Sequence, residues 1–230
     1  QSTYINQQQE EAEIMKKKFK LFQTFSVIFT GFILFEAIIR IIRRYWHFPA
    51  PTIIAPFLAS PVRRFLQPTK RVLQRSGIKK GMTVLEIGCG NGAYIPTAAR
   101  MVGPKGTVHA LDVQPEMLKL LEAELNKEEN LAIANVILHH ADAEKLPFED
   151  QQFDVVFMVA VLSEIPDVPK ALKEVKRVLK PDGRFAVTEF LPDPDYRMEH
   201  EIIRLGTKHG FVYETSDGNL MDYTVRFRVK

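Results

Sequence analysis

The chain has 230 residues and a mass of 26.4 kDa, with 46% hydrophobic and 26% charged residues, enough for one globular domain and an appendage and too apolar to be disordered throughout. A single cysteine excludes a disulfide framework and any multi-cysteine metal site, so no metal is expected. The net charge of +3 is unevenly spread: Ala37 to Leu85 holds ten basic residues and no acidic one, and the rest of the chain is net negative.

Residues 1–20 form a polar segment in which Glu13 and Lys17 share a helix face at i,i+4. In the next segment, 21–44, residues 21–42 are the most apolar stretch. Twenty-two residues in a helix span roughly 33 Å, enough for a hydrocarbon core of ~30 Å. Glu36 and Arg40 interrupt it at pairing distance, and Arg43, Arg44, Tyr45 and Trp46 follow as a basic and aromatic interfacial group. The expectation is a membrane-spanning or interfacial helix, with a helix packed on protein as the rival. Residues 45–80 come next: four prolines between Phe48 and Pro61 exclude a long helix, and one or two short basic helices end at Gly77. Such a basic, greasy segment suits a partner with anionic headgroups at about 1 kcal/mol per charge. Nucleic acid is not expected, because no second nucleic-acid signature accompanies the charge.

From Gly81 to the end, short Val/Ile/Leu/Phe runs alternate with amphipathic stretches, the pattern of an α/β, doubly wound, mostly parallel sheet. Strands are expected at 82–87, 107–113, 135–140, 153–160 and 184–190, with a turn at Lys180 to Gly183. A last helix stops at Gly210, and a hairpin turns at Asp217 and Gly218. The first strand runs into Glu86-Ile-Gly88-Cys89-Gly90-Asn91-Gly92-Ala93, where glycines permit a tight turn and close approach of a ligand at the carboxyl edge of the sheet. Gly88, Gly90 and Ala93 also satisfy a dinucleotide fingerprint, and Asp112 at the end of the second strand suits the ribose of either cofactor, which leaves an oxidoreductase open.

Glu86 two residues before the first glycine, ADAEKLPF after the third strand and LKPDGRFAV before the fifth separate the alternatives. Together they resemble the class I S-adenosylmethionine-dependent methyltransferases, in the group that includes the ubiquinone and menaquinone C-methyltransferases. The resemblance implies a seven-stranded Rossmann-like domain with S-adenosylmethionine as cofactor. Glu86, Gly88, Cys89, Gly90 and Gly92 match the loop that holds the cofactor's methionine part. Asp112 matches the ribose-binding acid and Val113 its neighbour. Met117 matches a cover for the adenine, Asp142 and Ala143 the pair beside it, and Val159 a backbone position near the cofactor amine. Cys89 reads as a small residue that fits, not as a nucleophile.

For the chemistry itself the candidates are Glu164, Glu189 and Tyr196, near the ends of the fourth and fifth strands, with none singled out as the base. His139 and His140 are expected to be structural or exposed. An N-terminal anchor ahead of such a domain is similar to the membrane-anchored thiol methyltransferases of endoplasmic reticulum and lipid droplets. It implies a lipid-like small-molecule acceptor, such as a quinone precursor or phospholipid, with the domain on the cofactor-containing side of a membrane. The rival function is a methyltransferase-like assembly factor of a membrane complex, or a protein methyltransferase.

Overall fold

The computed structural model describes residues 2–45 and 60–229, and these fall into two units that divide after Trp46. The first unit is one helix, α1 (Ser2–Tyr45), 44 residues long, which runs through both the polar segment and the apolar segment. Leu21, Phe22, Phe25, Val27, Leu34, Ile38 and Ile41 along it are exposed. The expected membrane span over 21–44 is not supported: among the described residues no helix is long and apolar enough to cross a membrane. The stretch carries the polar Gln23, Thr24, Ser26 and Thr30 among its apolar residues, and the side chains of Ile28, Phe29, Phe32, Ile33 and Phe35 lie outside the described residues. So do Trp46, the proline-rich stretch 48–59 and the side chains of Glu36, Arg43, Arg44 and Tyr45.

The second unit is a seven-stranded sheet built from β1 (Thr83–Ile87), β2 (Thr107–Asp112), β3 (Val136–His140), β4 (Phe153–Val159), β5 (Leu179–Phe190), β6 (Phe211–Gly218) and β7 (Asp222–Val229), in the order β3-β2-β1-β4-β5-β7-β6. All pairs are parallel except those of β7, which runs antiparallel to β5 and β6. Successive residues of the central strands point to opposite faces, so each strand feeds two cores. Val84, Val108, Val155 and Phe157 pack under α3 (Thr69–Arg75), α4 (Ile95–Val102) and α5 (Pro115–Leu125). Leu85, Leu111, Val156 and Met158 face α6 (Val168–Val178) and α7 (Glu199–Lys208). The continuous apolar runs read as strands are therefore buried on both sides. Asp167 caps α6 by accepting from the Lys170 amide at 3.0 Å, and prolines open α5 and α6 where an amide hydrogen has no partner to lose.

Three boundaries differ from the sequence reading. The domain does not begin at Gly81, since Val72, Leu73 and Ile78 are fully or nearly buried in the same core. The turn expected at Lys180 to Gly183 is absorbed into β5. There Phe153 pairs with Leu179 but Val155 with Arg184, so the extra residues bulge out of register without ending the strand. The hairpin reverses at Asn219 to Met221, after Gly218 and not on it.

Candidate functional site

The strand order reverses at β1, which lies between β2 and β4, and the crevice beyond their carboxyl ends is where an open α/β sheet binds ligands. The glycine turn after β1 is stapled to β2: the amides of Gly88 and Cys89 both donate to the Leu111 carbonyl, at 2.8 and 3.0 Å. Gly88 has φ +72°, and a Cβ there would sit 2.5 Å from the Val161 side chain, so the close approach of the two loops requires glycine. On the opposite wall Ala160 is a non-glycine residue at φ +54°, held there by its amide bond to the Thr188 carbonyl at 2.9 Å.

Asp112 ends β2 with both carboxylate oxygens engaged, Oδ2 by the Gly90 amide at 2.8 Å and Oδ1 by the Gln114 amide at 2.9 Å. Its orientation is thus set by backbone, and each oxygen keeps a lone pair for a ligand. Burial raises its pKa, opposed by those amide bonds. Glu86, one residue from the end of β1, is 1% exposed, and its Oε2 has no hydrogen-bond partner. Burial pushes its carboxyl well above the usual range, the neighbouring Asp112 adds to this, and Arg63 opposes it. A buried carboxylate oxygen left bare in a cleft is costly alone and becomes favourable when a cationic donor reaches it.

Ten of the eleven expected cofactor residues line this one cleft: Glu86, Gly88, Cys89, Gly90, Asp112, Val113, Met117, Asp142, Ala143 and Val159. Gly92 does not. It turns the chain at φ +82° and lies against Leu121 of α5, so it serves packing behind the turn. Cys89 is buried, and burial followed by the charges of Glu86 and Asp112 drives its thiol pKa up, opposite to what a nucleophile needs.

Of the three catalytic candidates only Glu164 lines the cleft. Glu189 is 1% exposed, with Oε1 unpartnered and Oε2 accepting from the Arg197 amide at 3.4 Å; burial, then Asp193, pushes its carboxyl well up. The Tyr196 hydroxyl donates to the Leu220 carbonyl at 2.9 Å. Both residues hold a strap, residues 191–198, over the ends of β5 and β7. The Arg197 Nε also donates to Ser163 Oγ at 2.7 Å, and the Tyr223 hydroxyl to the Arg197 carbonyl at 2.5 Å. The strap places Asp193 on the cleft wall.

Sequence reasoning missed Arg63, Asn91, Tyr94, Gln114, Val161 and Asp193 as cleft residues. Arg63 and Arg75 belong to the basic segment expected to meet anionic headgroups, and for these two the structure corrects that expectation. Arg63 is 7% exposed, and Arg75 is ion-paired with Asp222 at 2.7 Å, both side chains at or below 10% exposure. A motif counted along the chain cannot show which arginines turn inward. His139 is structural: its Nε2 lies 3.0 Å from His109 Nδ1 and its ring meets Phe148 edge-on, while His109 meets Phe153. Among the described residues no group of His, Cys, Asp or Glu is arranged to hold a metal ion.

Comparison with known proteins adds three findings. The family model described as "Methyltransferase domain" matches residues 78–216. Demethylmenaquinone methyltransferase of Staphylococcus aureus is 41% identical over 120 residues, which are 52% of this chain and 48% of that protein; the chain spans about half the length of the curated relatives it matches. Among solved structures, an S-adenosylmethionine-dependent methyltransferase from Aquifex aeolicus superposes with a TM-score of 0.73 and 29% identity over 79% of this chain and all of that one. An arsenic(III) methyltransferase from Chlamydomonas reinhardtii shares the fold, with a TM-score of 0.55 and 22% identity over 79% of this chain and 74% of that one.

Proposed function

Because this chain belongs to the S-adenosylmethionine-dependent methyltransferase family, we propose that it methylates a hydrophobic, quinone-precursor-like acceptor at a membrane surface. The observation that carries the cofactor half is the bare carboxylate of Glu86 beside the amide-held carboxylate of Asp112, at a turn that only glycine allows. In this reading Glu86 receives the ammonium of the methionine part, Asp112 the ribose hydroxyls, and Asp142, with Oδ1 fixed by the Glu144 amide at 2.8 Å, the adenine amine. The bound cofactor supplies a methyl group already activated on a sulfonium, so the protein's task is alignment and removal of water.

The acceptor's chemistry is supported by the rim of the cleft. Helix α2 (Pro61–Leu66) presents Val62, Phe65 and Leu66 exposed, with Phe65 at 83%. The α2 side is joined to the β6–β7 turn through Gln67 and Asp222, and that turn exposes Leu220 and Met221. An apolar margin of this kind suits a lipid-like acceptor that arrives from a hydrophobic phase. The menaquinone-precursor methyltransferase among the relatives supports a quinone-type ring. A ring carbon must lose a proton when it gains a methyl group, and Glu164 and Asp193 are the carboxylates on that wall of the cleft. The exposed apolar residues of α1, following the lysines at 16–18 and 20, support contact with an anionic bilayer.

The test incubates the protein in anionic vesicles with methyl-labelled S-adenosylmethionine and a total lipid extract. The expected result is label in a prenylated quinone fraction of the organic phase. Cofactor binding with label found only on protein, or nowhere, overturns the acceptor assignment and favours a protein methyltransferase or an assembly factor.

A further inference from the structure

Among the described residues that line the cleft, Arg63 is the sole basic side chain, against the five carboxylates Glu86, Asp112, Asp142, Glu164 and Asp193. At 7% exposure its charge has been taken out of water, which is unfavourable unless something in the site answers it. No carboxylate among the described residues is in ion-pair contact with it. Its Nε is 3.5 Å from Gln67 Oε1, and its guanidinium carbon lies 5.5 Å from the centroid of the Phe190 ring. Glu86 feels the Arg63 charge without bonding to it, and the Glu86 Oε2 is itself bare. Two buried groups of opposite sign, close but unjoined, form a receptor for a zwitterion: an α-amino acid brings an ammonium and a carboxylate on one carbon.

The support around Arg63 is built to hold it in place. Gln67, 1% exposed, accepts from the Tyr94 hydroxyl at 2.5 Å and donates to Asp222 Oδ1 at 2.9 Å, and Asp222 is ion-paired with Arg75. Tyr94 immediately precedes α4 and lines the cleft, so one buried amide ties α2 to the cleft wall and to β7. Ser60 caps α2 by accepting from the Arg63 amide at 3.2 Å, which fixes the helix at the residue in question. Arg63 and the Ser60, Gln67 and Arg75 side chains of this support lie before residue 78, outside the stretch that matches the family model.

We propose that Arg63 is the counter-ion of the cofactor's methionine carboxylate, so that α2 completes the amino-acid end of the site from outside the family-matched domain. The assignment rests on the methyltransferase reading. It divides the labour by charge: Glu86 takes the ammonium, and Arg63, the one cation in a cleft of carboxylates, takes the one anionic group the cofactor carries.

The experiment is a calorimetric titration of the full chain and of Arg63→Met with S-adenosylmethionine and with its decarboxylated analogue, which keeps the ammonium and the sulfonium and lacks only the carboxylate. The wild type is expected to bind the decarboxylated analogue about 10- to 100-fold more weakly, the range for losing a hydrogen-bonded charge. Arg63→Met is expected to lose a similar factor for S-adenosylmethionine and almost none for the analogue, so that the two ligands become alike. Arg63→Lys should retain part of the preference. A wild type that does not distinguish the two ligands overturns the assignment without recourse to any variant. So does an Arg63→Met protein that loses both equally, which marks a merely structural arginine, or neither. In all three cases the methyltransferase reading stands; absence of wild-type binding to either ligand overturns both.

Discussion

The two flanks of the cleft are built in different ways. On the β2–β1 side the binding groups are placed by backbone: a glycine turn stapled to the Leu111 carbonyl and a carboxylate held by two amides within a few residues of their strand ends. On the β4–β5–β7 side the wall is a strap and a short helix held by side-chain tethers that join residues far apart in the chain. Ser163 meets Arg197, Tyr223 meets the Arg197 carbonyl, and Gln67 and Arg75 meet Asp222 across about 150 positions. Backbone-built geometry follows from strand pairing and tolerates no change of acceptor, which suits an invariant cofactor. Tethered geometry can be altered one side chain at a time, and this flank carries both Arg63, assigned above to the cofactor carboxylate, and the wall proposed to meet the acceptor.

The contrast predicts that the tethered flank breaks first. Asp222→Ala leaves Arg75 almost buried with only the more distant, exposed Asp217 at 3.5 Å, and strips Gln67 of an acceptor. A loss of about 3 kcal/mol is expected, read as a fall of roughly 5–10 °C in Tm. Asp112→Ala acts on the other flank: cofactor affinity should drop at least about 100-fold, ~2.7 kcal/mol, while circular dichroism shows a folded domain. Unchanged affinity would refute the ribose assignment.

Acid should separate the flanks further. Burial, and then His139, lowers the His109 pKa from 6.5 to about 4. The folded state therefore binds fewer protons than the unfolded chain between those values. The stability held above pH 6.5 is lost as the pH falls toward 4. Buried Glu86 and Glu189 slope the other way, their folded-state preference for the protonated form costing stability as the pH rises above the ordinary glutamate value of 4.5. Because that background is shared, His109→Phe should differ from the wild type by flattening the acid loss by about 2 kcal/mol in denaturant titrations at pH 7 and pH 4.5. The smallest effect belongs to the strap. Tyr223→Phe removes one hydrogen bond to the Arg197 carbonyl, about 1 kcal/mol, and should lower kcat/KM for the acceptor several-fold with cofactor affinity unmoved. A parallel loss of cofactor affinity would erase the distinction between the flanks.

How much of this was legible follows the same division. The strands and the turn that carries Glu86, Gly88, Gly90 and Asp112 can be read because apolar runs, glycines and carboxylates at strand ends are local patterns with local causes. Glu189 and Tyr196 are catalytic candidates in the sequence because they lie near the end of strand five, but whether such a residue faces the cleft depends on the path of the strap, which is set by Ser163, Leu220 and Tyr223. The Lys180 to Gly183 turn became a bulge because β5 pairs with β4 on both sides of it, Leu179 with Phe153 and Arg184 with Val155.

By itself the amino-acid sequence determined the sheet, the family and the cofactor edge, since these rest on periodicity and on backbone conformations that few residues permit. Only the tertiary structure decided which charges are buried. Arg63 and Arg75 stand in the same basic run as exposed Arg64 and Lys70, yet Arg75 turns inward onto the counter-charge of Asp222, and Arg63 is held inward beside Gln67, which the return of β7 beside α3 ties to Asp222. Desolvation and its compensation depend on neighbours in space, and no spacing along the chain encodes them.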